Sequence, residues 1–513
     1  MQVNHLNTIV IVGGGTAGWM TATALATVLR GRYRIRLVES EDIGIVGVGE
    51  ATIPMIQRFN TIAGIDEAEF MKATNATFKL GVEFVNWGRP GERYTHGFGR
   101  IGQDLWMVGF EQYWHKMRAL GRARDLTDYS ITRAAARAGK FMRPRTDLGN
   151  SPLAEITYAY HFDAGSYARH LRTLSEGRGV ERTEGRIVRV TQRAHDGHVD
   201  AVVMENGERI EGDLFIDCSG FRGLLIEETL HAGYEDWSHW LPCDRALAVP
   251  CESVPGFTPY TRATAHGAGW QWRIPLQNRT GNGHVYCSRY ISDDEAAATL
   301  LANLDGKPLA DPRPLRFTTG MRKKAWDKNV VAIGLSSGFL EPIESTSIHM
   351  IQDSIQRLLD YFPDQGFSQT DVDAFNRLSR FHYERIRDFI ILHYHANQRD
   401  DAAFWRACAH MEIPASLREK LDLFRTHGRL RRVDGELFTE VGWLQVLVGQ
   451  NIQPQAYHPL ADVQSEEGIH AYMEGIADVI AQCVDFMPDH AAFIAGYCKA
   501  DKADKAGTGA QGM

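Results

Sequence analysis

The sequence predicts an α+β fold in which a parallel βαβ unit opens the chain, a β-rich middle covers it, and helices close it. Three observations carry this prediction. A β-branched run at 8–12 leads through Gly13-Gly14-Gly15-Thr16-Ala17-Gly18 into helical spacing over 19–29 and a second strand over 34–38. Alternating β-type sequence fills 187–203 and 247–291. From residue 371 onward apolar residues recur at i, i+3 and i+4, most clearly over 379–395, 469–486 and 491–498.

The opening unit has a chemistry of its own. Glycines after a strand permit a tight turn and let backbone N–H groups approach a pyrophosphate at the start of the helix. Glu39, which ends the second strand, is the acid expected to accept hydrogen bonds from a ribose. Gly13, Gly15, Thr16, Ala17, Gly18 and Glu39 therefore read as a dinucleotide site. Two later apolar strands, 214–217 and 329–333, each end in a small-residue turn, the second in Gly334-Leu335-Ser336-Ser337-Gly338. Late strands returning to an N-terminal Rossmann-like unit resemble the glutathione-reductase-type FAD fold. The resemblance implies FAD, with Gly334 and Leu335 beside it. A second GxGxxG for NAD(P)H is absent, so the reducing electrons are expected from another protein. The predicted organisation is an FAD-binding module with its covering sheet over 1–370, helical insertions near 105–150, a mainly helical substrate-capping region over 371–498, and a disordered tail over 499–513.

Composition excludes several partners. The 513 residues carry a net charge of −8 without a long basic block, so neither nucleic acid nor an anionic membrane is an expected partner. No apolar run reaches the roughly 18–20 residues of a spanning helix. The start of the chain shows no charged and apolar leader, and seven dispersed cysteines lack CxxC or Cys/His spacing. These read as a cytoplasmic protein with reduced, buried thiols and no structural metal.

The chain resembles the flavin-dependent tryptophan halogenases along nearly its whole length. The matching blocks include the glycine loop, Gly47-Val48-Gly49-Glu50-Ala51-Thr52-Ile53-Pro54, Phe78-Lys79, Phe84-Val85-Asn86-Trp87, His96-Gly97-Phe98-Gly99 and Tyr160-His161-Phe162-Asp163-Ala164. Further on lie Trp270-Gln271-Trp272-Arg273-Ile274-Pro275, which fits the family's WxWxIP signature, then Gly338-Phe339-Leu340-Glu341-Pro342-Ile343-Glu344-Ser345-Thr346, and the segment 387–394. The resemblance implies an enzyme supplied with FADH2 by a separate flavin reductase. It would use O2 and chloride or bromide to make hypohalous acid, and pass that acid to an electron-rich, indolic substrate. Homodimers are frequent in the family.

The same resemblance implies roles for single residues. Lys79 would guide hypohalous acid, by hydrogen bonds from an ammonium or as a haloamine, and a lysine suits either because burial moves its pKa easily. Glu344 would stabilise the cationic arenium or take its proton. Backbone N–H groups at Thr346 and Ser347 would hold halide; the family usually has glycine where Ser347 stands. Ala51, Thr52 and Ile53 would contact the flavin, with Pro54, His96, Phe98 and Trp443 around the organic substrate. Trp270 and Trp272, two apart on a strand, would share one face and wall the flavin from that substrate.

One stretch departs from the family. Tryptophan halogenases grip the amino-acid end of their substrate with a Tyr-Tyr pair and a glutamate. The corresponding stretch here, 435–445, has no such pair and offers Glu440 and Trp443 instead. The expected substrate is an indole without the amino-acid handle, or a larger indolic or phenolic compound. The rival reading is an FAD-dependent aromatic monooxygenase (a hydroxylase), which needs neither Lys79 nor halide.

Overall fold

The computed structural model describes residues 5–41 and 49–498. The predicted tail over 499–513, and Gly47 and Val48 of one matched block, lie outside the described residues. Thr8–Val12 is the centre of a six-stranded sheet ordered Trp326–Asp327, Val330–Ala332, Leu214–Asp217, Thr8–Val12, Arg34–Glu39, Glu181–Glu184. All pairings are parallel except that of the two-residue Trp326–Asp327 edge. Ile9, Val10, Ile11, Leu214, Phe215, Ile216, Val330 and Val331 are fully buried, as expected of parallel strands covered on both faces.

A seven-stranded sheet stands beside it. Its order is Arg313–Arg316, Arg245–Cys251, Thr280–Tyr286, Gly269–Pro275, Thr261–His266, Gly81–Val85, Arg93–Gly97. The expected covering sheet over 247–291 is thus present, extended by two upstream strands. The stretch 187–203 does not join it. Val199–Met204 pairs with Ile187–Gln192 on one side and Arg209–Glu211 on the other in a separate three-stranded sheet, because Val199, Val202 and Met204 pack on Val10, Val12 and Phe215 of the parallel sheet.

Another small sheet joins Gly49–Ala51, Ala159–Asp163 and Thr77–Lys79. Helices dominate beyond residue 347, including Gln369–His395, Ala415–His427, Glu440–Gly449 and Glu466–Phe486. Residue 370 is not a packing boundary. One core joins Phe84, Trp87 and Trp270 to Phe389, Trp405 and Leu447, and another joins Ile9, Trp19 and Phe78 to Ile480, Met487 and Ile494. The helical region is therefore built onto the sheets as one body with them. No helix among the described residues is long and apolar enough to cross a membrane.

Candidate active site

The nucleotide end is set by backbone. Gly13 has φ +114, and a Cβ there would meet the Cys218 carbonyl oxygen at 2.2 Å, so only glycine fits. The Glu39 carboxylate lies where a Cβ of Gly14 would be, and is paired with Arg182 and reached by Trp19 Nε1. Gly15 caps helix Thr16–Leu29 with no side-chain bond and with nothing within 4 Å of its Cβ position. The helix therefore offers open, uncapped N–H groups to an anion, which fits a pyrophosphate. Gly334 (φ +78) closes on this helix: its Cβ would be 2.8 Å from Ala17 Cβ. Leu335 beside it is half-buried.

Lys79 ends the three-residue strand Thr77–Lys79 and is fully buried. Its Nζ donates to the Thr52 carbonyl at 2.9 Å and to Ser345 Oγ at 2.7 Å. Thr52 is held for this by exchange with Tyr160, accepting its N–H and donating to its carbonyl. Burial pulls the Lys79 pKa down to about 7, against the opposing pull of the Glu344 charge. The Phe98 ring, half-buried, stands 5.4 Å from Nζ. Ile53 is buried, and Pro54 caps helix Met55–Ile62.

Glu344 and Ser345 close a one-turn helix, Pro342–Glu344, with Ser345 at φ 59 in the left-handed region. The turn hands the chain to helix Ser347–Asp360, whose cap, Thr346, makes no side-chain bond. Among the described residues no side chain caps the first N–H groups of this helix, the kind of open amides that halide binding at Thr346 and Ser347 would need. Ser347 is half-buried.

The Glu344 carboxylate sits between two histidines. His96 Nδ1 lies 2.9 and 3.0 Å from its two oxygens. His393 Nε2 lies 2.8 Å from Oε1, an ion-pair contact whose angle departs from a well-formed hydrogen bond. Burial pushes the carboxyl up, but His96 and His393 outweigh it and hold its pKa at about 2. Behind it, the Tyr94 hydroxyl oxygen lies 3.1 Å from His393 Nδ1 and accepts a hydrogen bond from Gln450 Nε2 at 3.2 Å, which braces the imidazole beside Glu344.

Aromatic side chains surround this pair. Phe389 and Phe438 stack at 3.8 Å, with the Trp443 ring edge-on to Phe389 at 4.9 Å and His96 tilted against both phenylalanines. Trp443 is buried, with Lys420 Nζ 4.5 Å from its ring centre. Glu440, named with Trp443 from the sequence, is exposed and accepts the Arg432 N–H instead.

Trp270 and Trp272 do share a face, 6.2 Å apart. Trp270 Nε1 donates to Glu341 Oε2 at 3.0 Å, and so does the Tyr394 hydroxyl at 2.6 Å. Glu341 is fully buried and its pKa is pushed up to about 7. The two acids of one turn thus engage successive residues of helix Gln369–His395, Glu344 with His393 and Glu341 with Tyr394. Sequence reasoning assigned no role to His393, Tyr94, Ser345 or Glu341. Their presence in matched blocks, or beside one, was the available signal for His393, Ser345 and Glu341. Tyr94 carried none. All seven cysteines are free and six are buried.

The chain is similar to known proteins over most of its length. The tryptophan halogenase family model matches residues 8–466. Tryptophan 6-halogenase ThaL of Streptomyces albogriseolus is 36% identical over 82% of both chains. Among solved structures, Xcc4156, a flavin-dependent halogenase from Xanthomonas campestris, is 51% identical with a TM-score of 0.94, covering 98% of this chain and 100% of that one. BrvH, a flavin-dependent halogenase from Brevundimonas sp. BAL3, is 46% identical with a TM-score of 0.93, covering 96% and 99%. A family match over most of the length, on a fold that buries Lys79 beside the Glu344 turn, places the chain in the tryptophan halogenase family as a flavin-dependent halogenase.

Proposed function

We propose that this enzyme halogenates an electron-rich, indolic ring with FADH2, O2 and chloride or bromide, using hypohalous acid guided by Lys79. One observation carries the reading. A lysine with no exposure donates two hydrogen bonds, one of them to the residue next to Glu344, and keeps a third N–H for a ligand. Reduced flavin, received from a separate reductase, would, when bound, supply the electrons that activate O2, the oxidant of the halide. Gly13, Gly15, Thr16, Ala17, Gly18 and Glu39 would hold its dinucleotide end, with Ala51, Thr52, Ile53, Gly334 and Leu335 nearer the ring. The amides at Thr346 and Ser347 would hold halide.

The remaining chemistry belongs to the chain's own side chains. The Lys79 ammonium hydrogen-bonds hypohalous acid and protonates its departing oxygen. Ionised Glu344, buried where charge is little screened, stabilises the cationic ring. Phe98, His96, Pro54 and the Phe389–Phe438–Trp443 cluster would enclose the ring. A Tyr-Tyr pair like that of the tryptophan-specific relatives is missing and Glu440 is turned to solvent, which favours an indole without the amino-acid handle over free tryptophan. The test is product mass from indole, bromide, O2 and FADH2. Gain of bromine is expected; gain of oxygen, the outcome for an aromatic hydroxylase, would overturn the reading.

A further inference from the structure

Glu344 is poorly placed to take a proton. Both oxygens already face imidazole nitrogens, and the Tyr94–Gln450 pair braces one of those imidazoles from behind. The ring nitrogen left without a partner in this group belongs to the neighbouring imidazole. His96 uses Nδ1 for Glu344, while its Nε2 makes no hydrogen bond among the described residues and is not sealed off with the buried unpaired atoms. Residue 442 of helix Glu440–Gly449, which packs beside this nitrogen, is glycine: a Cβ there would come within 3.1 Å of Nε2 and crowd it. His96 lies in strand Arg93–Gly97, and Phe98, just past the end of that strand, stands 5.4 Å from the Lys79 nitrogen.

We propose that His96 Nε2 is the base that removes the ring proton after halogenation, with Glu344 acting through Nδ1. The proposal rests on the halogenation reading above. The ring π electrons form the carbon–halogen bond as the halogen–oxygen bond of hypohalous acid breaks. The oxygen leaves as water with a proton from Lys79. The C–H electron pair returns to the ring and its proton goes to Nε2, so that Ar–H and HOX become Ar–X and H2O. The His96 proton returns to Lys79 through solvent between turnovers. Glu344 orients the imidazole and balances the imidazolium, the division of labour of any carboxylate–histidine pair. His393, Tyr94 and Gln450 are positioning residues that keep Glu344 ionised and in place.

The experiment measures single-turnover formation of bromoindole from indole and from indole deuterated at every ring carbon. The wild type is compared with His96→Phe, His96→Gln and Gly442→Ala, with flavin binding as the check on folding. Rates are expressed per hypobromous acid released. Loss of the base is expected to slow both His96 variants by ~100-fold or more. It should also produce a deuterium isotope effect larger than in the wild type, because C–H cleavage becomes limiting. Gly442→Ala, which crowds Nε2 and leaves His96 in place, should raise the isotope effect in the same direction. Slow His96 variants with an unchanged isotope effect would mean that the ring only holds substrate, and would overturn the proposal. A wild type that releases hypobromous acid but makes no bromoindole would overturn the halogenation reading itself, and this inference with it.

Discussion

Lys79 and Ser345 share a 2.7 Å hydrogen bond that ties the end of a strand to a serine in left-handed conformation, φ 59. A non-glycine residue in that region costs about 1–2 kcal/mol, and here the strained residue is the one that receives the lysine. Ser345→Gly should relieve the strain and Ser345→Ala should keep it, while both delete the acceptor. Melting temperature is therefore expected to rise in the glycine variant and fall in the alanine variant. Bromoindole formation should fall in both by roughly tenfold, the worth of one hydrogen bond to a charged donor. Full activity in either would show that Ser345 does not position Lys79.

Replacing Lys79 itself separates making the oxidant from using it. Lys79→Ala should abolish aryl halogenation while bromide-dependent oxidation of FADH2 continues. Bromoindole persisting at a wild-type rate would exclude the lysine mechanism.

The pH dependence of the same residue has a definite sign. Its folded pKa of about 7 lies below the free value of 10.5, so in the folded protein the ammonium is lost as pH rises through about 7. If the ammonium guides hypohalous acid, halogenation per oxidant formed should fall across that range. Glu344, at about 2, is ionised throughout and does not shape this limb. Stability follows by linkage. Below about 7 the folded state carries a buried charge that the unfolded chain keeps in water. That penalty shrinks as pH rises and vanishes above 10.5. Lys79→Met should therefore be stabilised most below about pH 7 and not at all at high pH. Melts of the two proteins from pH 6 to pH 10.5 check this.

The nucleotide unit was legible because each of its parts has a local cause: β-branched strands, a glycine that must take positive φ, an acid at the end of the next strand. Lys79 and Glu344 were legible only as members of matched blocks, since a lysine in a three-residue strand has no periodicity to mark it as buried. The pairing of Glu344 with His393 was not legible at all. It is made by a one-turn helix meeting the last turn of a long one, and neither segment carries a pattern naming the other. The placing of 187–203 failed for a related reason. Alternation shows that a stretch is a strand, but not which sheet it joins, and the apolar face of that hairpin is claimed by the parallel sheet.

The second tryptophan of the WxWxIP segment lies across Gly283 on the neighbouring strand, where a Cβ would come within 2.0 Å of the Trp272 ring. The ring's position depends on that missing side chain. Gly283→Ala should force Trp272 off its place and destabilise the protein by about 1–3 kcal/mol, as overpacking of a core does. Thermal melts check the stability. If the tryptophans separate oxidant from substrate, the variant should also leak more hypobromous acid per bromoindole formed. An unchanged leak with a lowered melting temperature would leave Trp272 a core residue only.

Ser347 tests the halide site. It opens helix Ser347–Asp360, and its amide is among those left free by the uncapped Thr346. A backbone N–H serves an anion whatever the side chain, so Ser347→Gly should retain halide binding. What would change is space, because a half-buried hydroxymethyl group beside a bound anion would limit its radius. Removing it should favour bromide over chloride relative to the wild type, by about 1 kcal/mol or severalfold in rate, the scale of one small packing contact. Parallel turnover with each halide gives the ratio. A ratio equal in the two proteins would show that the side chain does not face the anion.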